Sequence, residues 1–252
     1  MQDPLGREVE AIWRLLPDGR GVVESAQAIG LALVSPAERD PLRASSRGLG
    51  ELVLAAAGEA SELLVGLGDT ATVDGGAGLR EVLDGIPVPT TVLCDVRNPL
   101  RDAARVFAAQ KGASSTQIGD LEARLGGMIE LKPYAETPGA GAAGGLGAAL
   151  AALGATLVPG TDYVLEAVGL RERIRGAALV VTGEGKVDGT SVEGKSTGGV
   201  AALCREEGIR CAVFGGRVND ALPGAEMHEL SGEPGRARDD LVALGESLAR
   251  SL

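Results

Sequence analysis

The sequence predicts an α/β protein built on parallel strands, and three observations carry that prediction. Short apolar runs rich in Val, Leu and Thr alternate with glycine-rich loops and helical patterns. Strand, loop, helix, strand at these lengths is the sequence form of a βαβ unit. The length of 252 residues and a hydrophobic content of 44% suffice for one large core or two smaller ones. Aromatic residues make up only 2%, so that core must be assembled from Ala, Val, Leu and Ile.

The elements follow in order. Residues 9–16, the turn Pro17-Asp18-Gly19 and residues 21–25 read as a hairpin. Residues 50–60 read as a helix rich in Ala and Leu. Residues 62–65 form a strand that feeds the first glycine loop, 66–78 (GLGDTATVDGGAG), and residues 77–83 continue as a helix. A second strand, 90–94 (TTVLC), ends at Asp95, and helices with weak caps are expected at 102–110 and 116–130. The second glycine loop, 138–147 (PGAGAAGGLG), runs into a small-residue helix at 145–153. A helix at 163–168 and a strand at 177–181 lead to the third loop, 182–196 (TGEGKVDGTSVEGKS). A helix at 198–207, a strand at 210–214 and a final helix at 236–251 complete the chain; Leu241, Leu244 and Leu248 lie at helical spacing in the last.

Charge and cysteine usage narrow the function classes. A net charge of −11 argues against nucleic acid or an anionic membrane as partner. Cys94, Cys204 and Cys211 have no metal-like spacing and read as buried free thiols in a reducing compartment. No apolar stretch is long enough to span a bilayer, and the N-terminal MQDPLGREVE is not a signal peptide. The expected location is the cytoplasm.

The glycine loops carry the chemistry. Consecutive glycines let backbone N–H groups turn toward a phosphate, interspersed carboxylates can hold Mg²⁺, and lysines can meet phosphate oxygens. Basic residues here are mostly arginine; the lysines are Lys111, Lys132, Lys186 and Lys195. A lysine kept where arginine is the default suggests a need for a compact point charge. Phosphoryl transfer is the chemistry such loops suit. Two formal matches are set aside. Gly139-x-Gly141-x-x-Gly144 fits a dinucleotide fingerprint, but Pro133 and Pro138 precede it where a strand is required. Residues 189–196 fit a P-loop pattern, but residues 183–188 separate it from its strand and Glu193 would oppose a nested phosphate.

Taken in order, the motifs resemble one family. The run 66–78 resembles the G-G-S-A-T-N-D-G-G-A-G segment of the class I glycerate kinases, and residues 95–100 (DVRNPL) resemble their D-V-T-N-P-L. Val106-Phe107 with Gln110-Lys111-Gly112-Ala113 resembles V-F-x-P-Q-K-G-A; residues 138–148 match P-G-A-G-A-A-G-G-L-G-A; residues 182–189 resemble T-G-E-G-R-L-D-G, with Gly194-Lys195 following. The resemblance runs from about residue 3 to about residue 218. It implies phosphorylation of D-glycerate, or a similar hydroxy acid, with ATP and Mg²⁺. It also implies a Rossmann-like α/β domain, a second α/β domain inserted into it, and a site in the cleft between them. Residues 1–155 would be mainly the inserted domain and residues 156–252 part of the Rossmann-like one. The family's opening strand with its D-S-F-K-G-S-type loop, and its A-D-G-G-E-G segment, have no counterpart here. The chain is therefore expected to be an N-terminally shortened member whose Rossmann-like sheet is incomplete. In the first loop Asp69, Thr70 and Val73 replace Gly, Ser and Asn.

The resemblance assigns roles residue by residue. Asp188 and Glu184 would hold Mg²⁺ or orient a substrate hydroxyl; otherwise they sit on a solvated turn. Lys195 and Lys111 would neutralise phosphate or the glycerate carboxylate; otherwise they are surface lysines. Asp74 would act as base or bind substrate hydroxyls; otherwise it closes an Asx turn or caps a helix. Asp95 and Asn98 would line the same cleft. Gly68, Thr70, Thr72, Gly75, Gly76, Gly183, Gly185 and Lys186 would contact substrate or nucleotide. Gly141 and Gly144 would approach the ligand or pack against a helix. The single histidine, His228, lies outside every motif, so general-base chemistry falls to a carboxylate. No serine occupies a G-x-S-x-G elbow. A homologue that binds nucleotide or an organic acid without turnover is the alternative function, and association into a homo-oligomer is left open.

Overall fold

In a computed structural model of the chain, residues 1–192 and 196–252 are described, without the side chains of Thr190 and Val192. They form two compact units, Met1–Gly160 and Thr161–Leu252. The first unit holds a five-stranded sheet of β1 (Arg14–Leu15), β2 (Arg20–Glu24), β3 (Glu62–Leu67), β4 (Thr90–Cys94) and β5 (Thr156–Pro159), in that spatial order. β1 and β2 form the expected hairpin, and every later pairing is parallel. The boundary between the units falls at Gly160, because β5 pairs with β4 and so belongs to the first sheet.

Register explains the first core. Gly21, Val23, Leu63, Val65, Leu67, Val92 and Cys94 share one sheet face, and all are buried. Helix α1 (Ser25–Ile29) follows β2, and α2 (Arg47–Ala57) precedes β3. The buried stripe Leu49, Leu52, Val53 and Ala56 on α2 has the spacing of one helical face and packs on that sheet face. A short α3 (Ala77–Arg80) leads toward β4. Helices α4 (Ala103–Phe107) and α5 (Ser115–Gly127) follow β4. A capping box between Ser114 and Gln117 starts α5, a cap the sequence pattern had rated weak.

The small-residue helix α6 (Ala142–Ala152) lies between two cores. Leu146 and Leu150 join the sheet core, while Ala148 and Ala149 join a second cluster with Leu121, Leu125 and Leu131. A helix covered on both sides needs no polar face, which is why its sequence carries none.

In the second unit, α7 (Gly160–Ala167, its first residue in the first unit) and α8 (Leu170–Ile174) precede a parallel sheet of β6 (Val180–Val187), β7 (Cys211–Val218) and β8 (Ala225–Glu229). Helices α9 (Gly189–Val192) and α10 (Ser196–Glu207) connect β6 to β7, and α11 (Ala237–Arg250) ends the chain. The third core joins Ala201, Leu203 and Cys204 of α10 to Val187, Cys211 and Val213 of the sheet.

Several corrections arise here, and β5 (Thr156–Pro159) is one, since no strand was expected between residues 153 and 163. The third glycine loop begins later than expected: Thr182, Gly183, Glu184, Gly185 and Lys186 are strand residues of β6, and all but Gly185 have partners on β7. The glycine at 183 makes room for a neighbour, since a Cβ there would stand 2.5 Å from the Phe214 ring. Strand β8 was not anticipated, because AEMHE has no β-branched residue and takes its conformation from pairing with β7. Among the described residues no helix is long and apolar enough to cross a membrane.

Candidate functional site

In the first unit the strand ends bring the first two glycine loops and the segment after β4 together. Gly68 and Asp69 leave β3 exposed to solvent, and Asp95 does the same at the end of β4. Ligands of parallel sheets gather at this carboxyl edge. Ser25, fully buried after β2, ties Gly68 down through its hydroxyl, which exchanges 3.2 Å hydrogen bonds with the Gly68 carbonyl and amide. Asp69 has φ of 50°, a left-handed conformation unusual for a non-glycine residue. Backbone bonds from Leu31 N–H to the Asp69 carbonyl (2.7 Å) and from Ala71 N–H to the Ile29 carbonyl (2.9 Å) hold that turn. Partial desolvation and the neighbouring charge of Asp69 raise the Asp95 pKa above the ordinary carboxylate value. A Cβ on Gly160 would meet Asp95 Oδ1 at 2.8 Å, so glycine leaves this carboxylate its space. Asn98 is half-buried, and its carbonyl accepts a 2.9 Å bond from Gly141 N–H.

Asp74 is placed differently from the sequence expectation. It is 2% exposed. Its Oδ2 accepts from Ser46 N–H (2.9 Å), Ser46 Oγ–H (2.8 Å) and Gly78 N–H (3.1 Å), and its Oδ1 from Gly76 N–H (3.1 Å). Four bonds, three on Oδ2 and one on Oδ1, tie the start of α2 to the start of α3. The capping alternative describes this geometry.

Lys111 is not a surface lysine either. It is 4% exposed, and its ammonium donates to Thr70 Oγ1 (3.0 Å) and to the Thr72 carbonyl (2.8 Å). Thr70 and Thr72 are themselves buried. Burial holds the Lys111 pKa down to about 8 from its ordinary 10.5, while the charge of Asp74 draws it partly back up. Between those two values the unfolded chain binds a proton that the folded chain does not. Stability therefore rises with pH across the window, by about 3 kcal/mol in total. Wild-type protein is expected to gain that much relative to Lys111→Met between about pH 7 and about pH 10, read from urea unfolding midpoints; parallel pH curves for the two proteins would contradict it.

Four of the glycines expected to touch ligand pack closely against protein. A Cβ on Gly75 would meet Met128 Sδ at 2.5 Å, and one on Gly76 would meet Ala149 Cβ at 2.3 Å. On Gly141 it would meet the Pro99 carbonyl at 2.5 Å, and on Gly144 the Thr72 carbonyl at 2.2 Å. The second glycine loop is thus the surface on which the first one rests, and Gly75 N–H donates 3.0 Å to the Gly144 carbonyl.

In the second unit, Lys186 forms a 2.9 Å ion pair with Asp188 at the end of β6. Asp188 N–H donates to Ser191 Oγ (3.1 Å), and Ser191 N–H returns 2.8 Å to the Asp188 carbonyl. Gly183, Glu184 and Gly185 lie upstream in the same strand. Among the described residues no three His, Cys, Asp or Glu side chains converge to hold a metal by themselves. The expected site residue Lys195 lies outside the described residues. All three cysteines are free and buried, as expected, and burial pushes the thiols of Cys94 and Cys211 up to about 12, which removes them as nucleophiles.

Sequence reasoning missed Ser25 and Ser46. Ser46 had a readable signal, a serine placed just before the apolar periodicity of α2. Ser25 had none, because its partner lies 43 residues away.

Residues 1–86 and 84–232 match the profile of the glycerate kinase family. A glycerate 2-kinase of Escherichia coli K12 is 39% identical over 271 aligned positions, covering 90% of this chain and 71% of the relative. A glycerate kinase of Halalkalibacterium halodurans is 36% identical, covering 91% and 72% respectively. A crystal structure of a candidate glycerate kinase 2 from Salmonella typhimurium LT2 superposes with a TM-score of 0.75 at 30% identity, covering all of this chain and 82% of the other.

Proposed function

The chain belongs to the glycerate kinase family, and from that membership we propose that it transfers the γ-phosphoryl group of ATP to a hydroxyl of D-glycerate. The observation that carries the reading is the length of the match. Two segments of the family profile span residues 1–232, and relatives named for this activity align over about nine-tenths of the chain.

Phosphoryl transfer asks a protein for positioning and charge neutralisation rather than covalent participation. Asp95, whose pKa is raised, is the carboxylate of the first unit suited to accept a proton from the acceptor hydroxyl. Asn98 and the Gly68 backbone lie on the same strand-end edge and suit the remaining polar groups of a small hydroxy acid. Lys186 and Lys195 are the cations suited to phosphate oxygens. Mg²⁺ enters with ATP as the substrate complex. It is usually held by one or two carboxylates and the phosphates themselves. Asp188, at the end of β6, would be the carboxylate to hold it there; Glu184 lies four residues upstream in the strand, about 13 Å away along the extended chain. The bound ion would supply charge neutralisation on the transferring group. The protein acts in the cytoplasm, in keeping with its free buried thiols.

The test is glycerate-dependent ADP release by purified, monodisperse protein with Mg-ATP, alongside Lys195→Ala and Asp188→Ala. Turnover of order 1–100 s⁻¹ is expected, falling at least about a hundredfold in both variants. A folded sample with no turnover overturns the kinase reading and leaves nucleotide or acid binding to be measured directly.

A further inference from the structure

We infer that Lys111 acts on the reaction at one remove: it sets the path of Thr70–Thr72 and so presents Gly68 and Asp69 at the end of β3. The inference rests on the kinase reading above for its effect on rate, and on geometry alone for its effect on the loop.

The ammonium reaches both arms of one turn, the hydroxyl of Thr70 at 3.0 Å and the carbonyl of Thr72 at 2.8 Å. Thr72's own hydroxyl oxygen is buried without a hydrogen-bond partner, so that side chain does not fix the turn. The backbone behind Lys111 is itself held. Gly112 has φ of 98°, and a Cβ there would stand 2.7 Å from Arg39 Cβ and 2.9 Å from the Arg39 carbonyl. With its root fixed and its tip bonded to both sides of the turn, Lys111 spans the gap like a strut. A slender stem ending in a point charge suits two acceptors in a space that is 4% exposed; a planar guanidinium fork does not. This accounts for a lysine here in a chain whose basic residues are mostly arginine.

At the solvent end of the turn stand the groups the strut controls. Asp69 adopts its left-handed conformation two residues after β3 ends, and its charge is one cause of the raised Asp95 pKa. If the 70–72 path relaxes, Asp69 moves and the electrostatic setting of Asp95 moves with it. Lys111 is therefore a positioning residue, and it need not touch glycerate or ATP.

The test uses the full chain and two variants, Lys111→Met and Thr70→Val. Lys111→Met is expected to lower kcat about a hundredfold, the scale of an ångström-level misplacement, with KM for D-glycerate and ATP changed less than about threefold. Thr70→Val is expected to lower kcat on its own but to add less than about twofold on top of Lys111→Met, because the two act through one contact. Hydrogen exchange across peptide 68–76 is expected to quicken in both variants. A large rise in KM with kcat retained would mean that Lys111 binds substrate directly and overturns the inference. Unchanged exchange in a folded variant overturns it also, whether or not the wild type turns over glycerate. An inactive wild type with quickened exchange leaves the strut standing and removes only the kinase reading. Where Lys111→Met fails to fold, Thr70→Val alone carries both readouts.

Discussion

Gly144→Ala is expected to destabilise the first unit by about 4 kcal/mol, a large share of the margin of an ordinary domain. Two costs add. Gly144 has φ of 72° and ψ of 32°, and holding alanine in that left-handed well costs about 1–2 kcal/mol. The new Cβ would also lie 2.2 Å from the Thr72 carbonyl and 2.6 Å from Val73 Cα. Both neighbours are backbone, so no side chain can rotate away, and the two loops must separate. Forcing extra volume into a packed site costs about 1–3 kcal/mol. Separation also breaks the 3.0 Å bond from Gly75 N–H to the Gly144 carbonyl. Trp13 is the single tryptophan, and it packs on the sheet core of this unit, so its fluorescence during urea unfolding reports the unit selectively. Gly119→Ala is the control. It lies in α5 with nothing within 4 Å of its Cβ, and the change should stabilise by about 1 kcal/mol. Equal midpoints for Gly144→Ala and wild type would show that the two loops do not rest on each other.

This packing changes what the PGAGAAGGLG segment is for. A glycine-rich run between strands invites a phosphate-cradle reading, because glycine frees backbone N–H groups. Here Gly141, Gly144 and Gly147 are buried against backbone carbonyls of residues 99, 72 and 139. The absence of side chains lets one loop lie directly on another, while Gly68, Asp69 and Asp95 stand exposed on the sheet edge.

The fold was more legible than the site, for physical reasons visible in particular residues. TTVLC announced β4 to the residue because its β-branched side chains favour a strand, with Pro87 and Pro89 before it and an Asp-x-x-Asn-Pro segment after it. The Pro-Asp-Gly turn before β2 was equally plain, and the helix expected at 50–60 was found three residues earlier, at Arg47–Ala57. The extension of β6 through Gly183 and Gly185 was hidden, because glycine reads as loop unless the Phe214 ring that needs its space is known. The site suffered from the same limit more severely. Asp74, Lys111, Thr70 and Thr72 were recognised as residues that matter together, yet their burial was not in the sequence. Burial depends on contacts such as Ser46 to Asp74, 28 residues apart, and Lys111 to Thr70, 41 residues apart. A motif marks which residues gather at a site; it does not say which of them face the solvent.

Asp74→Asn puts that distinction to a direct test, and the expected loss is about 3–5 kcal/mol. The substitution keeps size and shape but turns one acceptor oxygen into an N–H₂ donor. Whichever oxygen is replaced, the new donor faces an existing one: Gly76 N–H at Oδ1, or Ser46 and Gly78 N–H at Oδ2. A buried donor facing a donor leaves both unsatisfied. The change also removes the negative charge that raises the Lys111 pKa against burial. Lys111 then folds more readily in its neutral form, so the penalty should be smaller near pH 9 than near pH 6.5, and Lys111→Met should relieve part of it. If Asp74 were instead the catalytic base, Asp74→Asn would fold with wild-type stability and lose turnover alone. Stability and kcat measured on the same sample at both pH values separate the two, because only a buried tether makes the loss of stability depend on the charge of Lys111.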